Sequence, residues 1–139
     1  MVIIAEMNVL AVGMGNRADE FKGLPIRLLN MNCGRDAICS FKTDPIDSVV
    51  SHWHLADMPN GQFLQKLKAA RPDMPTVAIV EPNNPQQEIE ARMLGVSAVI
   101  AEDCDEHYFR RVMTSVLGLP DTQAIETFYA IKDYRMNGD

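Results

Sequence analysis

The chain has 139 residues, 47% of them hydrophobic, which suits one α/β domain with a core that needs neither disulfides nor a metal. A net charge of -6 at pH 7 and a pI near 5.0 exclude a phosphate-backbone binder, because that role needs clustered Lys and Arg, so no direct nucleic-acid partner is expected. The sequence has no run of about eighteen apolar residues. Its first fifteen residues, Met1 to Gly15, lack the basic start and small-residue cleavage site of a signal peptide. The expectation is a cytoplasmic protein with no membrane contact.

The first strand is expected over Met7 to Val12, followed by the flexible Gly13-Met14-Gly15-Asn16. A helix is expected within Arg17 to Asn32. Gly23-Leu24-Pro25 cuts it, and since proline is tolerated at a first helical turn, Pro25 to Met31 is the favoured span. Alternation of Ala37, Cys39 and Phe41 against Ile38 and Ser40 predicts a second strand over Asp36 to Phe41. Only Lys42 to Ile46 then separates it from a third strand that begins at Val49-Val50. Asn60-Gly61 introduces a helix with Phe63, Leu64, Leu67 and Ala70 on one face, ended by Arg71-Pro72. Pro75 to Val80 is a central parallel strand. Asn84, Pro85 and Gln87 form a helix start with a capping box, Ile89 and Met93 its inner stripe, and Gly95 its left-handed end. Val96 to Ala101 is the fifth strand. Asp103 and Glu106 are read as a capping box for a helix with Phe109, Val112, Met113, Val116 and Leu117 on its apolar face. After Gly118-Leu119-Pro120, residue Asp121 caps a further helix carrying Ile125, Phe128, Tyr129 and Lys132. The division is a domain over 1–118 and a helical extension over 119–139.

This order resembles the CheY-like receiver domain of two-component signalling, a flavodoxin-like five-stranded parallel sheet in a three-layer sandwich. LADMPNGQFLQKLKAARPDMP resembles the receiver's third loop and helix, TVAIV its fourth strand, and LGVSAVIAED the end of its fifth strand. The likeness runs from about Met7 to Leu117. With five residues between the second and third strands, the second helix of the family is expected to be reduced or absent.

The resemblance implies where the family's phosphoryl chemistry sits, and the sequence departs at each position. The acidic pair that holds magnesium falls on Gly13 and Met14, neither of which offers a hard-cation ligand. The phosphoacceptor aspartate falls on His52 when counted from Asp47, and on Trp53 when counted back from Gly61. The switch hydroxyl falls on Val80, the conserved lysine on Glu102, the proline after it on Asp103, and the switch aromatic on Val99. No metal and no cofactor is expected. The implied function is a phosphorylation-independent pseudo-receiver that works through protein partners and is not an enzyme.

Other readings are weaker. His52 and His54 are two apart, but His107, Cys33, Cys39 and Cys104 stand at no zinc or redox spacing, so the histidines are read as lining a pocket around Trp53. GMGNR matches neither GxGxxG nor a Walker loop, and Cys104 with His107 reads as a helix cap before a nucleophile and base. Two alternatives remain open: a flavodoxin-like enzyme or cofactor binder using the strand-end crevice, and a response regulator modified elsewhere, at Ser51 or Asp57. In the family, the surface of the fourth helix, fifth strand and fifth helix carries dimer and output contacts. It matches Gln86 to Leu117 here, with Arg92, Val99, Glu102, Tyr108 and Arg111 as candidates, joined by Phe128 and Tyr129 on the extension. A homodimer through that extension, a stand-alone adaptor and a piece of a longer regulator all fit the sequence.

Overall fold

The computed structural model describes residues 7–118. Its five parallel strands are β1 (Met7–Val12), β2 (Ile26–Met31), β3 (Ser48–His52), β4 (Thr76–Val80) and β5 (Ala98–Ala101), in the order β2-β1-β3-β4-β5. A 3-10 helix spans Gly15–Phe21, and the α-helices are α1 (Gly34–Thr43), α2 (Gln62–Ala70), α3 (Pro85–Leu94) and α4 (Glu106–Leu117). The central strands are continuous apolar runs because both of their faces are covered. Period-two alternation divides the side chains between two cores. Leu10, Val12, Val49, Ala78 and Val80 pack under Ala37, Phe63, Leu64, Leu67 and Ala91 of α1, α2 and α3. Val9, Ala11, Val50, Val77 and Ile79 pack under Phe21 of the 3-10 helix and Phe109, Met113 and Leu117 of α4. No helix among the described residues is long and apolar enough to cross a membrane.

The C-terminal half follows its local signals. The Asn84 side chain accepts from the Gln87 backbone N–H at 3.2 Å, and Gly95 ends α3 with φ 92°. The reciprocal half of that capping box is absent, since Gln87 Oε1 accepts instead from the Glu81 N–H at 2.8 Å. At α4 the cap is Asp105, which accepts from the Tyr108 N–H at 2.7 Å, so the cap lies two residues beyond the expected Asp103. Asp103 falls in the tight turn closed by Cys104 N–H to the Ala101 carbonyl.

The first third corrects the sequence reading. Ile26–Met31 is a strand, paired along all six residues with β1, where a helix was expected. Asp36 to Phe41 lies inside α1, where a strand was expected. The second helix is therefore present at ten residues, and the reduced one is the first, a seven-residue 3-10 helix. Ala37, Ile38 and Phe41 fit a helix face at i, i+1 and i+4 as well as a strand face at i and i+4, and a six-residue window cannot separate the two periods. What settles α1 is a contact from far along the chain. Its first two amides, Gly34 and Arg35, donate to Asp57 Oδ1 and Oδ2, both at 2.9 Å.

Two further expectations change in packing. Ile89 and Met93 are 51% and 81% exposed, and Ala91 is the residue of α3 that reaches the core. Ala70 is exposed at the end of α2. The expected helix from Asp121, with Phe128 and Tyr129, lies outside the described residues.

Candidate functional site at the strand ends

In an open sheet of this order, the crevice lies beyond the carboxyl ends of the strands, where connections leave in opposite directions. Here β1 and β3 deliver Gly13 and His52 to that crevice, and β4 and β5 deliver Val80 and Glu102. Gly13 has φ +70°, its N–H donates to the Met31 carbonyl at 2.9 Å, and a Cβ built on it stands 2.8 Å from Leu55 Cδ2. Neither the backbone nor the space favours a side chain there. Met14 is 4% exposed and belongs to the core under α4.

His52 is the last residue of β3, opposite Ile79, and its ring lies within 3.7 Å of the same built Cβ on Gly13. Burial pushes the imidazole below its usual value, with Glu102 opposing that shift and Arg17 adding to it. The ring is a neutral donor and acceptor at neutral pH. Trp53 points the other way: it is 2% exposed and lies in the core with Phe63 and Leu64. Its backbone N–H donates to the Ile79 carbonyl at 2.7 Å, and its backbone carbonyl accepts from the Gly61 N–H at 2.9 Å. Of the two residues that competed for the end of the third strand, only His52 reaches the crevice.

The two histidines do not converge. His54 is exposed, and its Nδ1 accepts from the Asn60 N–H at 3.4 Å. No group of three or more His, Cys, Asp or Glu among the described residues is placed to hold a metal ion. Ser51 is fully buried, and its hydroxyl donates to the His52 carbonyl at 2.9 Å. Asp57 is committed to the α1 amides, and those two bonds hold its carboxyl below the usual range.

Arg17 is the residue that the sequence did not single out. Its guanidinium donates to the carbonyl of Cys104 and, at 3.2 Å, to its Sγ; it also lies 3.2 Å from Glu20 Oε2 and 5.0 Å from the centre of the Phe109 ring. Burial pushes the Cys104 thiol up, and it pushes the Glu20 carboxyl up despite the arginine beside it. Arg110 completes the tie, its Nη1 donating to the Lys22 carbonyl at 2.8 Å. These contacts join the 3-10 helix and its C-terminal end to the turn between β5 and α4 and to α4 itself. The bonds from Arg17 to Cys104 and from Arg110 to Lys22 span 87 and 88 residues of sequence, which is why no local pattern announces them.

Beside the crevice, an open groove of about 400 Å³ runs over β5 between α3 and α4, lined in part by Val80, Glu88, Arg92, Val99 and Tyr108. The structure thus brings together Arg92, Val99 and Tyr108 of the expected interaction surface. Arg92 pairs with Glu88 at 3.0 Å. Arg111 is exposed on α4 but does not line the groove.

The sheet order, the single-sheet sandwich and the crevice define the flavodoxin-like class of doubly wound α/β folds. Within that class the fold is CheY-like. A signal receiver domain of an HD domain-containing protein from Pseudomonas fluorescens Pf-5 superposes with TM-score 0.73 at 15% identity, covering 85% of this chain and 91% of that one. The non-phosphorylated HemR receiver domain from Leptospira biflexa gives TM-score 0.73 at 17% identity, with 84% and 98% covered. The chemotaxis response regulator CheY4 of Vibrio cholerae gives 0.70 at 13%, with 81% and 99% covered. No protein-family model matches the chain, and no curated protein does.

Proposed function

We propose that this chain is a receiver-type module of two-component signalling that has lost phosphoryl transfer and acts through protein contacts. The observation that carries the reading is the crevice itself. His52 stands at the end of β3 facing Gly13, whose left-handed backbone and 2.8 Å clearance oppose any carboxylate, while Glu102 adds negative charge from β5. A phosphoryl group there would meet no carboxylate acceptor, no pair of oxygen ligands for magnesium, and like-charge repulsion from Glu102.

The nearest cation, Arg17, is already bound to Cys104, Glu20 and the Phe109 ring, so reaching the crevice would break those contacts. The same contacts hold the β5–α4 turn in one arrangement. In this reading the module has a single resident state, set by packing, and its output is the surface it presents to a partner protein in the cytoplasm. It turns over no substrate and needs no cofactor.

The test is incubation of the full chain with acetyl phosphate and Mg²⁺, followed by intact-mass measurement, with beryllofluoride titrated in parallel and followed by Trp53 fluorescence. No mass addition and no spectral change are expected. A stoichiometric acyl phosphate would overturn the reading.

A further inference from the structure

Charge is unevenly distributed along this chain. Residues 81–106 hold seven carboxylates and one arginine, so this segment alone carries −6, the formal charge of the whole chain; the remaining residues hold twelve of each sign. Glu81, Glu88 and Glu90 lie on the α3 side, and Glu102, Asp103, Asp105 and Glu106 on the β5–α4 side, all of them exposed. The three large exposed hydrophobics among the described residues, Ile89, Met93 and Tyr108, fall in the same place. Ile89 and Met93 each follow a groove-lining residue, Glu88 and Arg92, by one position. They form the adjoining stripe about 100° further round α3, and Tyr108 closes the groove from α4.

We infer that this face docks a basic amphipathic helix of a partner protein, its apolar stripe against Ile89, Met93 and Tyr108 and its Lys or Arg residues over the acidic rim. The inference rests on the reading of the chain as an interaction module and names the chemistry of its partner. A groove flanked by two helices suits a third helix, which is read through anchors at i, i+3 or i+4, and i+7. Charge decides the occupant. A second copy would set one acidic rim against another. The chain's own extension, 119–139, offers Asp121, Glu126, Asp133 and Asp139 against Lys132 and Arg135, so it too is the wrong sign.

The probe is a labelled helical peptide of about fourteen residues with leucines at i and i+4 and lysines elsewhere, beside a counterpart with glutamates for lysines; anisotropy is read on the full chain. The basic peptide is expected to bind, to weaken about ten-fold or more as salt rises from about 0.05 M to about 0.5 M, and to outbind the acidic one by at least as much. Ile89→Ser with Met93→Ser should cost about ten-fold without disturbing the fold, since both side chains face solvent. Glu88→Gln with Glu90→Gln should weaken binding and flatten the salt dependence, whereas the distant Asp73→Asn should change neither.

Equal binding of the two peptides, or indifference to the Ile89 and Met93 substitutions, would overturn the inference. So would a dimer in light scattering that Met93→Ser dissolves, which assigns the face to a second copy. Binding seen only in a Phe128→Ser, Tyr129→Ser variant would assign it to the chain's own extension. Phosphoryl uptake would defeat the functional reading whatever the peptides do, while peptide failure without uptake removes only this occupant.

Discussion

Gly61→Ala should cost far more than a glycine substitution at a turn ordinarily does. Gly61 has φ +76°, and a Cβ built on it falls 2.2 Å from Trp53 Cζ2 and 2.4 Å from Cη2, inside the space the indole fills. The left-handed backbone alone costs an L-residue about 1–2 kcal/mol. The ring cannot move aside cheaply because it is buried against Phe63 and Leu64, and overpacking of that kind adds about 1–3 kcal/mol. A total of roughly 3 kcal/mol, at a urea dependence of about 1.5 kcal/mol per molar, lowers the unfolding midpoint by about 2 M. Gly95→Ala supplies the control, since Gly95 has φ +92° with no atom within 4 Å of its built Cβ. It should lose only the backbone cost, about 1 kcal/mol or roughly 0.7 M. Trp53 is the chain's single tryptophan, so its fluorescence follows both unfolding curves and also reports a red-shifted native state in the Gly61 variant. Equal midpoints for the two variants, with unchanged native emission, would refute the packing of Trp53 on Gly61 and with it the assignment of His52, not Trp53, to the crevice.

His52→Asp alone should not accept phosphate from acetyl phosphate, because Gly13 and Met14 supply no magnesium ligand; phosphoryl uptake by that variant in intact-mass measurement would show that the crevice holds a cation after all. His52 also sets a pH dependence. Its folded value lies below the usual 6.5, so between the two values the unfolded chain binds the extra proton, and stability should fall as pH drops through 6.5 and level off beneath the folded value. Urea midpoints against pH should lose that component in His52→Gln. Arg17→Met should loosen the β5–α4 turn and expose Cys104, so that a second thiol reacts rapidly with an aromatic disulfide reagent, after the already exposed Cys39. Asp57→Ala removes the acceptors of the Gly34 and Arg35 amides, which should then exchange hydrogen markedly faster while amides in β1 and β4 keep their protection.

The sequence by itself determined the parts of this molecule whose causes are local. β4 and β1 are apolar runs between turn residues, and α3 carries Asn84, Pro85 and Gly95 at its ends, so both kinds of element are written within about ten residues. The residue types at Gly13, Met14, His52, Val80 and Glu102 are also sequence facts, and with them the atoms each position can offer. Tertiary structure decided what depends on distant partners. Ile26–Met31 is a strand because β1 lies alongside to bond all six residues, and α1 is a helix whose amide cap arrives from Asp57. Each competing period fits a window that short, and only the partner breaks the tie. His52 and Trp53, one residue apart, face opposite sides of the sheet, and Gly61 fixes which side by leaving room for the indole. The exposure of Ile89 and Met93 follows from the same cause. A helix with two apolar stripes buries the one its sheet can receive, and the small Ala91 lets α3 approach β4 and β5 where the longer side chains would hold it away.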